Sequence, residues 1–572
     1  MKLLMGYIKK YKWYMIIGPF FKLLEAILEL FNPLLVAKII DQGVVSGDYY
    51  VILKYAIILV ACNILGFIFS VIGQKCASLT STKISYSMRQ DVFSHVANLS
   101  HAELDKFGTA SLINRLTNDI GQVETAIGVF MRIILRAPFL LIGAFILSLM
   151  INIKASIIFL VLIPVVCIIL VVYTLKTYPY FNKIRVKLDR ISNVTKENLS
   201  GTRVIRAFNK QQAEQVRFEE VSEDYTKTNI KVAKISAMLN PIILLIVDAA
   251  TIGILLLGGW QINLGGMTQG DVIALIDYVA IITISLLLLS QVIVIFVRTH
   301  ASIKRVNEVL KTDPSIQNEE GAHQFRKCDY DVLMEFRSVG FNYTQDVKDK
   351  LFIKDLSFEI HPGQTIGIIG GTGSGKTTIA NLMTRFYDPT LGEILYKGRN
   401  LKEYTLEQLR HEVSVVQQRS TLFSGSLREN MKLRNDNATD EEIIDALKIS
   451  QAWGFVSEWK NGLDHQIMAG GKNVSGGQMQ RLTIARALID KPEMIILDDS
   501  SSALDFLTDS KLRKAIKELN TTTVLISQRA TSIKNADLII VLDNGDVVGM
   551  GKHNSLMKNC DIYREIYESQ SK

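Results

Sequence analysis

Six long apolar stretches, at about residues 13–36, 53–72, 130–151, 155–175, 238–260 and 272–297, leave this chain few folds to choose from. Each is long enough, as a helix, to cross about 30 Å of hydrocarbon. All lie before residue 300, whereas the remainder reads as a soluble α/β domain. At 572 residues and 48% hydrophobic, the chain is therefore a membrane half followed by a soluble half. Residues 41–50 contain no Lys or Arg, 152–154 form a minimal turn, and 261–270 are uncharged. Lys9, Lys10 and Lys12 precede the first stretch, and long basic segments follow the second and fourth. An excess of cations marks the cytoplasmic side, so both termini and the two long segments are expected there. The net charge of +8 suits such basic flanks; no basic nucleic-acid-binding module is present, and no nucleic-acid partner is expected. No cleavable signal peptide is expected, since the N-terminus runs straight into a span.

The soluble half is organised around Gly370-Gly371-Thr372-Gly373-Ser374-Gly375-Lys376-Thr377-Thr378. An apolar run, 366–369, precedes it and a helix-forming run, 379–383, follows. That is a phosphate-binding loop in its strand–loop–helix context. Its glycines let backbone N–H groups turn inward around a phosphate chain, and the helix N-terminus adds partial positive charge. Lys376 is expected to reach the β/γ-phosphates and the Thr377 hydroxyl to ligate Mg²⁺, so the chain is expected to bind ATP. Met494-Ile495-Ile496-Leu497-Asp498 reads as a strand ending in the carboxylate partner of that metal. Asn473-Val474-Ser475-Gly476-Gly477-Gln478 opens a further helix shortly before it, and Asn544-Gly545 reads as a hairpin turn. Cys62, Cys76, Cys167, Cys328 and Cys560 show neither metal spacing nor a disulfide framework.

The two long cytoplasmic segments, 75–128 and 176–237, carry helical periodicity and read as extensions of the spans. Within each, at 107–119 and 197–208, a glycine-containing break adjoins a short amphipathic helix, as a direction-reversing loop that docks on another domain requires. Charges also fall inside the spans. Lys22, Glu25 and Glu29 lie in the first, Arg132 and Arg136 in the third, Asp248 in the fifth and Asp277 in the sixth. A mid-bilayer charge costs at least ~3 kcal/mol, so such groups face a partner or a wet cavity. Glu25 and Glu29, one turn apart, line a pathway for a cationic substrate together with Asp248 and Asp277, or else Lys22 pairs with Glu25 or Glu29, or these charges lie near the interface. Arg132 and Arg136 are expected near the cytoplasmic leaflet.

Taken together, these motifs resemble an ABC exporter half-transporter, in which six spans are fused to one ATP-binding cassette. The resemblance covers the whole chain. It implies an all-α polytopic membrane domain at 1–311, a linker at 312–330 and an α/β P-loop cassette at 331–572. Val474 to Gln478 is similar to the family's signature motif, which contacts the γ-phosphate held by a second cassette. Tyr343 stands where the family stacks an aromatic ring on adenine. Gln418, in Val415-Val416-Gln417-Gln418, resembles the loop glutamine that touches Mg²⁺. Ser502-Ala503-Leu504-Asp505 resembles the loop that crosses between cassettes, and the two short cytoplasmic helices resemble the coupling helices. The resemblance further implies a dimer in membrane lipid, a small-molecule substrate and, with prokaryotic residue usage, a plasma-membrane home.

Two positions depart from the family pattern. Asp499 stands where a Glu usually polarises the attacking water, and Gln528 replaces the histidine that contacts the γ-phosphate. Asp withdraws the carboxylate by about 1 Å, a displacement that can cost roughly 10²-fold in rate. Gln can hydrogen-bond but cannot carry imidazolium charge. Both changes weaken hydrolysis and spare ATP binding. The expectation is the degenerate half of a heterodimeric exporter, moving a lipophilic, drug-like substrate. Alternatives are a homodimeric exporter of lipid or peptide in which Asp499 turns over slowly, and an ATP-gated channel or regulatory subunit.

Overall fold

The computed structural model describes residues 2–319, 321, 330–344, 351–500 and 504–571. Two compact units emerge, Met1–Ala97 with Ala110–Lys311, and Asn98–Thr109 with Thr312–Lys572.

The first unit is all helix. Five stretches, Tyr49–Ala97, Thr109–Ile151, Ile153–Ser200, Gln211–Asn263 and Gln269–Val292, contain windows with mean hydropathy of 2.3 to 3.3. Lys12–Lys38 has the length for a sixth, at 27 residues, but carries Lys22, Glu25 and Glu29 along its middle. A crossing needs about 20 residues, so the 49, 48 and 53 residues of Tyr49–Ala97, Ile153–Ser200 and Gln211–Asn263 continue as helix well past the bilayer. The polar segments expected to extend the spans do so. At the far end, the Asp41 carboxylate ties two helices together, accepting from the Thr268 hydroxyl (2.6 Å) and the Gly270 N–H (2.8 Å).

One break interrupts the apolar pattern. Ile120–Ile133 ends, and Arg136–Ile151 begins after a two-residue turn at Ile134 and Leu135. Pro138 has no N–H for the Ile134 carbonyl and its ring crowds that oxygen, which is the physical reason for a break at this place. The second helix then starts on Arg136, whose guanidinium meets Glu29 (2.7 Å) and lies 3.6 Å from Glu25. Lys22 donates to Glu25 (2.7 Å) and to the Ser70 hydroxyl (3.0 Å). Glu25 is thus the acid that pairs with Lys22, whereas Glu29 pairs with Arg136. Glu29 lies about 26 Å along its helix from Lys12, and the ion pair fixes Arg136 at that level of the first helix. Asp248 is exposed and Asp277 half-buried, and neither has an ion-pair partner among the described residues. Arg136→Leu is expected to destabilise the membrane unit by about 3 kcal/mol, by leaving Glu29 uncompensated. Thermal unfolding in detergent would read the loss, and Glu29→Leu added to Arg136→Leu should recover most of it.

At the cytoplasmic end, Asp119 is 2% exposed. It accepts from Arg305 Nε (2.7 Å) and the Ser302 hydroxyl (2.9 Å). Burial acts to raise its pKa, but the bonds from Arg305 and Ser302 outweigh burial and hold the carboxyl below its ordinary value.

The second unit is α/β. Its larger sheet runs in the order Asp546–Gly551, Leu538–Asp543, Thr365–Gly370, Thr522–Ile526, Met494–Asp498, Val413–Val416. All neighbours are parallel except the first pair, which turns through Asn544 (φ 46°) and Gly545 (φ 83°), the left-handed pair a tight hairpin demands. A four-stranded antiparallel sheet, Ile353–Ile360, Met334–Phe341, Leu391–Tyr396, Arg399–Asn400, packs with it into one core that includes Phe336, Ile366, Ile496 and Val524. A second core gathers the helices around Gly476–Leu488, with Leu482, Ile484, Met431 and Leu447. The short helix His101–Phe107 also belongs to this unit: His101 stacks on Phe386 (4.2 Å between centroids), and Asp105 accepts from the Tyr387 hydroxyl (2.8 Å).

Candidate functional site

Strand Thr365–Gly370 is buried along its length and delivers the glycine loop to the carboxyl edge of the sheet. The helix that follows begins at Lys376, three residues earlier than the sequence pattern placed it. Gly375 initiates it with φ 103°, and a Cβ there would lie 2.4 Å from Ile353 Cδ1; only glycine fits both conditions. Gly370, Gly371, Thr372, Gly373 and Ser374 form the turn between strand and helix. Lys376 is folded back, its ammonium donating to the carbonyls of Gly370 (3.0 Å) and Gly371 (2.6 Å). Burial lowers its pKa, opposed by the Asp498 and Asp499 charges. A buried cation satisfied by loop carbonyls is poised to exchange them for phosphate oxygens.

The Thr377 hydroxyl donates to Asp498 Oδ2 at 2.8 Å. Asp498 closes the buried strand Met494–Asp498, and burial pushes its carboxyl above the ordinary range; the Thr377 bond and Lys376 oppose this, while Asp499 reinforces it. A hydroxyl and a carboxylate in contact form a hard-oxygen donor pair suited to Mg²⁺, which takes one or two protein ligands and completes its shell with water and substrate phosphates. Among the described residues no group of three or more His, Cys, Asp or Glu is placed to hold a metal alone. The site therefore fits a metal that arrives with its nucleotide. Tyr343 is 46% exposed, with its hydroxyl 2.8 Å from that of Thr378. Its ring is edge-on to Phe341 and Tyr387, leaving a face that a purine can cover. Gln418 follows strand Val413–Val416 with its side chain exposed.

Asp499 follows Asp498 with φ 47°, its N–H donating to the Ile526 carbonyl at 2.8 Å. Its charge acts on both Lys376 and Asp498, which puts the carboxylate at the phosphate end of the site. Gln528 is exposed. Sequence reasoning missed what positions its backbone. The Gln570 side chain donates to the Gln528 carbonyl (2.7 Å) and accepts from the Ala530 N–H (2.8 Å). Gln570→Ala is expected to speed hydrogen exchange of the Ala530 amide about tenfold, the equivalent of one lost hydrogen bond near 1.4 kcal/mol, as mass spectrometry of exchanged peptides would read.

The structure does not bring the signature to this loop. Val474 leads into Ser475, which caps Gly476–Leu488: the Gln478 N–H donates to Ser475 Oγ (3.3 Å), and the Ser475 N–H to Gln478 Oε1 (2.9 Å). That helix packs into the second core, while the phosphate loop's strand belongs to the first. Gly476 and Gly477 thus open an anion-attracting helix end that shares no hydrogen bond with the chain's own phosphate loop among the described residues. Of the four residues expected to cross between cassettes, Ser502 and Ala503 lie outside the described residues. Leu504 is buried, and Asp505 caps Phe506–Glu518 by accepting from the Thr508 N–H (3.0 Å).

Comparison with known proteins agrees with this division. Residues 15–286 match the family model for the ABC transporter transmembrane region, and residues 353–502 that for the ABC transporter. An uncharacterized ABC transporter ATP-binding protein of Bacillus subtilis, YfiB, is 34% identical over 566 residues, covering 99% of this chain and 98% of its own. The ATP-dependent lipid A-core flippase of Escherichia coli is 30% identical over 551 residues, covering 96% and 94%. The solved structure of a bacterial Atm1-family ABC exporter with ATP bound superposes with a TM-score of 0.77 at 22% identity, covering 100% of this chain and 99% of that one. That likeness shows the fold.

Proposed function

The chain belongs to the ABC transporters, with membrane region and ATP-binding domain on one polypeptide, and from that premise we propose that it is the slow-hydrolysing half of a heterodimeric exporter. The observation that carries the proposal is a contrast within one site. Lys376, Thr377 and Asp498 form a complete nucleotide-binding set, whereas Asp499 and Gln528 occupy the two positions that activate water and sense the γ-phosphate.

Within the proposed cycle, Tyr343 stacks on adenine and the Lys376 ammonium leaves its loop carbonyls for phosphate. Thr377, Gln418 and Asp498 would hold Mg²⁺, which would supply charge neutralisation on the phosphates when bound. Asp499 polarises water through a carboxylate that falls short, so ATP at this loop is held rather than cleaved. Ser475, Gly476, Gly477 and Gln478 complete the second site, on the partner's phosphate loop, with Leu504 and Asp505 beside the crossing. Closure of the two cassettes would carry the spans from inward- to outward-facing. The proposed substrate is lipophilic and drug-like, taken from the cytoplasmic side, with Asp248 and Asp277 on its path as acids that have no cationic partner among the described residues. A lipid is the second reading, favoured by the Escherichia coli relative that is named for a lipid.

Steady-state ATPase activity of the purified chain, with nucleotide binding as the folding control, tests the proposal. Binding with little turnover, restored by a related chain carrying Glu and His at the two positions, is the expected result. Brisk turnover of the chain alone would replace it with a homodimer.

A further inference from the structure

Gln528 belongs to neither of the elements around it. Strand Thr522–Ile526 ends two residues before it, and helix Ala530–Ile533 begins two residues after it. Its side chain is exposed, so its direction is set by the backbone that carries it rather than by packing. On the strand side, the Ser527 N–H donates to the Ile368 carbonyl (3.1 Å), and the Arg529 N–H to the Ser527 hydroxyl (2.9 Å). On the helix side the partner comes from elsewhere. Gln570 Nε2 donates to the Gln528 carbonyl (2.7 Å), and Gln570 Oε1 accepts from the Ala530 N–H (2.8 Å). A carboxamide is flat, with donors on its nitrogen and an acceptor on its oxygen. It meets here one acceptor and one donor on consecutive peptide groups, so its orientation is determined and it spans both.

Helix Asp561–Ser571 delivers Gln570 to that place. Tyr563 is fully buried, and Ile566 and Tyr567 pack with it on a core that holds Ala530, Ile533 and Ile369. Gln570 comes four residues after Ile566 and three after Tyr567, hence on the same side of the helix. Two polar contacts fix the helix further: the Tyr563 hydroxyl meets His553 Nδ1 (2.9 Å), and the Lys534 ammonium donates to the Tyr567 hydroxyl (3.1 Å). Ile369 immediately precedes Gly370. One helix is therefore seated on the strand that carries the phosphate loop and bonded to the loop that carries Gln528.

We infer that Gln570 is a positioning residue for the γ-phosphate, acting through the Gln528 backbone, and that helix Asp561–Ser571 thereby sets how strongly this site prefers a nucleoside triphosphate to a diphosphate. The inference rests on the reading of Gln528 as the γ-phosphate contact and adds the element that governs it. A diphosphate still meets the phosphate loop, whose backbone cradles phosphates that both nucleotides carry, but it has no γ-phosphate to offer Gln528. Loss of the Gln570 bonds should weaken triphosphate binding selectively, whereas a loss of packing alone would weaken both.

Equilibrium binding of Mg²⁺·AMP-PNP and Mg²⁺·ADP to the purified full chain in detergent tests this, the non-hydrolysable triphosphate keeping turnover out of the reading. Gln570→Ala is expected to reduce the preference for AMP-PNP over ADP about fivefold, the size of a lost hydrogen bond of ordinary strength. The Kd for ADP should stay within about twofold, which also reports that the fold is intact. Gln570→Glu keeps the acceptor for the Ala530 N–H but loses the donor, and should fall between. Gln528→Ala should lower the preference at least as far, and adding Gln570→Ala to it should change nothing further, because both act through one contact. An equal loss for both nucleotides in Gln570→Ala, or an undiminished preference, would overturn the inference. If Gln528→Ala lowers the preference and Gln570→Ala does not, the positioning role fails while the γ-phosphate reading of Gln528 stands. If Gln528→Ala leaves the preference intact, that reading fails and the positioning role fails with it.

Discussion

Asp499→Glu combined with Gln528→His is expected to raise ATP turnover of the chain by about 10²-fold, measured in vesicles at high protein density, where mass action forces self-pairing. The added methylene carries the carboxylate about 1 Å further from strand Met494–Asp498, into a position that is only half-buried and has room for it. The backbone at Asp499, with φ 47°, is tolerated by Asp and somewhat less readily by Glu, so the gain should fall short of a freely placed base. Gln528 is exposed, so an imidazole meets no steric bar there. Asp499→Glu alone should supply most of the effect and Gln528→His a few-fold. The KM for ATP should change less than about threefold, because Lys376, Thr377 and Asp498, the proposed source of ground-state binding, are untouched. Unchanged turnover would mean that the base and switch positions are not what limits this site.

How much of this was legible in the residues depended on how local the determinant was. The phosphate loop, the Asp498 strand, the helix opening at 473–478 and the Asn544-Gly545 turn each lie within ten residues, and each formed where its pattern placed it, apart from a three-residue earlier start of the helix after the phosphate loop. Helix lengths in the membrane unit followed from apolar period and polar continuation. The break at Ile134–Leu135 was signalled only by Pro138, and Pro19, Pro33, Pro164, Pro179 and Pro241 sit inside unbroken helices. Arg136, two residues before Pro138, meets its counter-ion 107 residues away. Long-range pairs of that kind stayed hidden: Asp119 meets Arg305 across 186 residues, and Gln570 reaches the Gln528 carbonyl across 42. A polar residue near a chain end carries no period or motif to announce it.

Gly476→Glu should nearly abolish transport by the reconstituted pair, while Asp499→Asn should reduce it less than about threefold. Gly476 is the first residue of helix Gly476–Leu488, and a Cβ there meets nothing within 4 Å. A carboxylate in the first turn even favours the helix, through its dipole and by removing a flexible glycine, so the fold should gain slightly in thermal stability. On the proposed arrangement, the same carboxylate would stand where the partner's γ-phosphate comes. Two like charges about 4 Å apart repel by about 4 kcal/mol at an effective dielectric near 20, enough for well over a 10²-fold loss. Asp499→Asn, by contrast, removes a carboxylate from a site that on the proposed reading turns over slowly already, and binding at Lys376 and Thr377 should persist. Transport of a fluorescent dye into inverted vesicles reads both variants on one scale, with ATP binding to this chain's own loop as the control that neither should move. The reverse ranking, a benign Gly476→Glu beside a transport-dead Asp499→Asn, would place productive hydrolysis at this chain's own phosphate loop and undo the division of labour between the two halves.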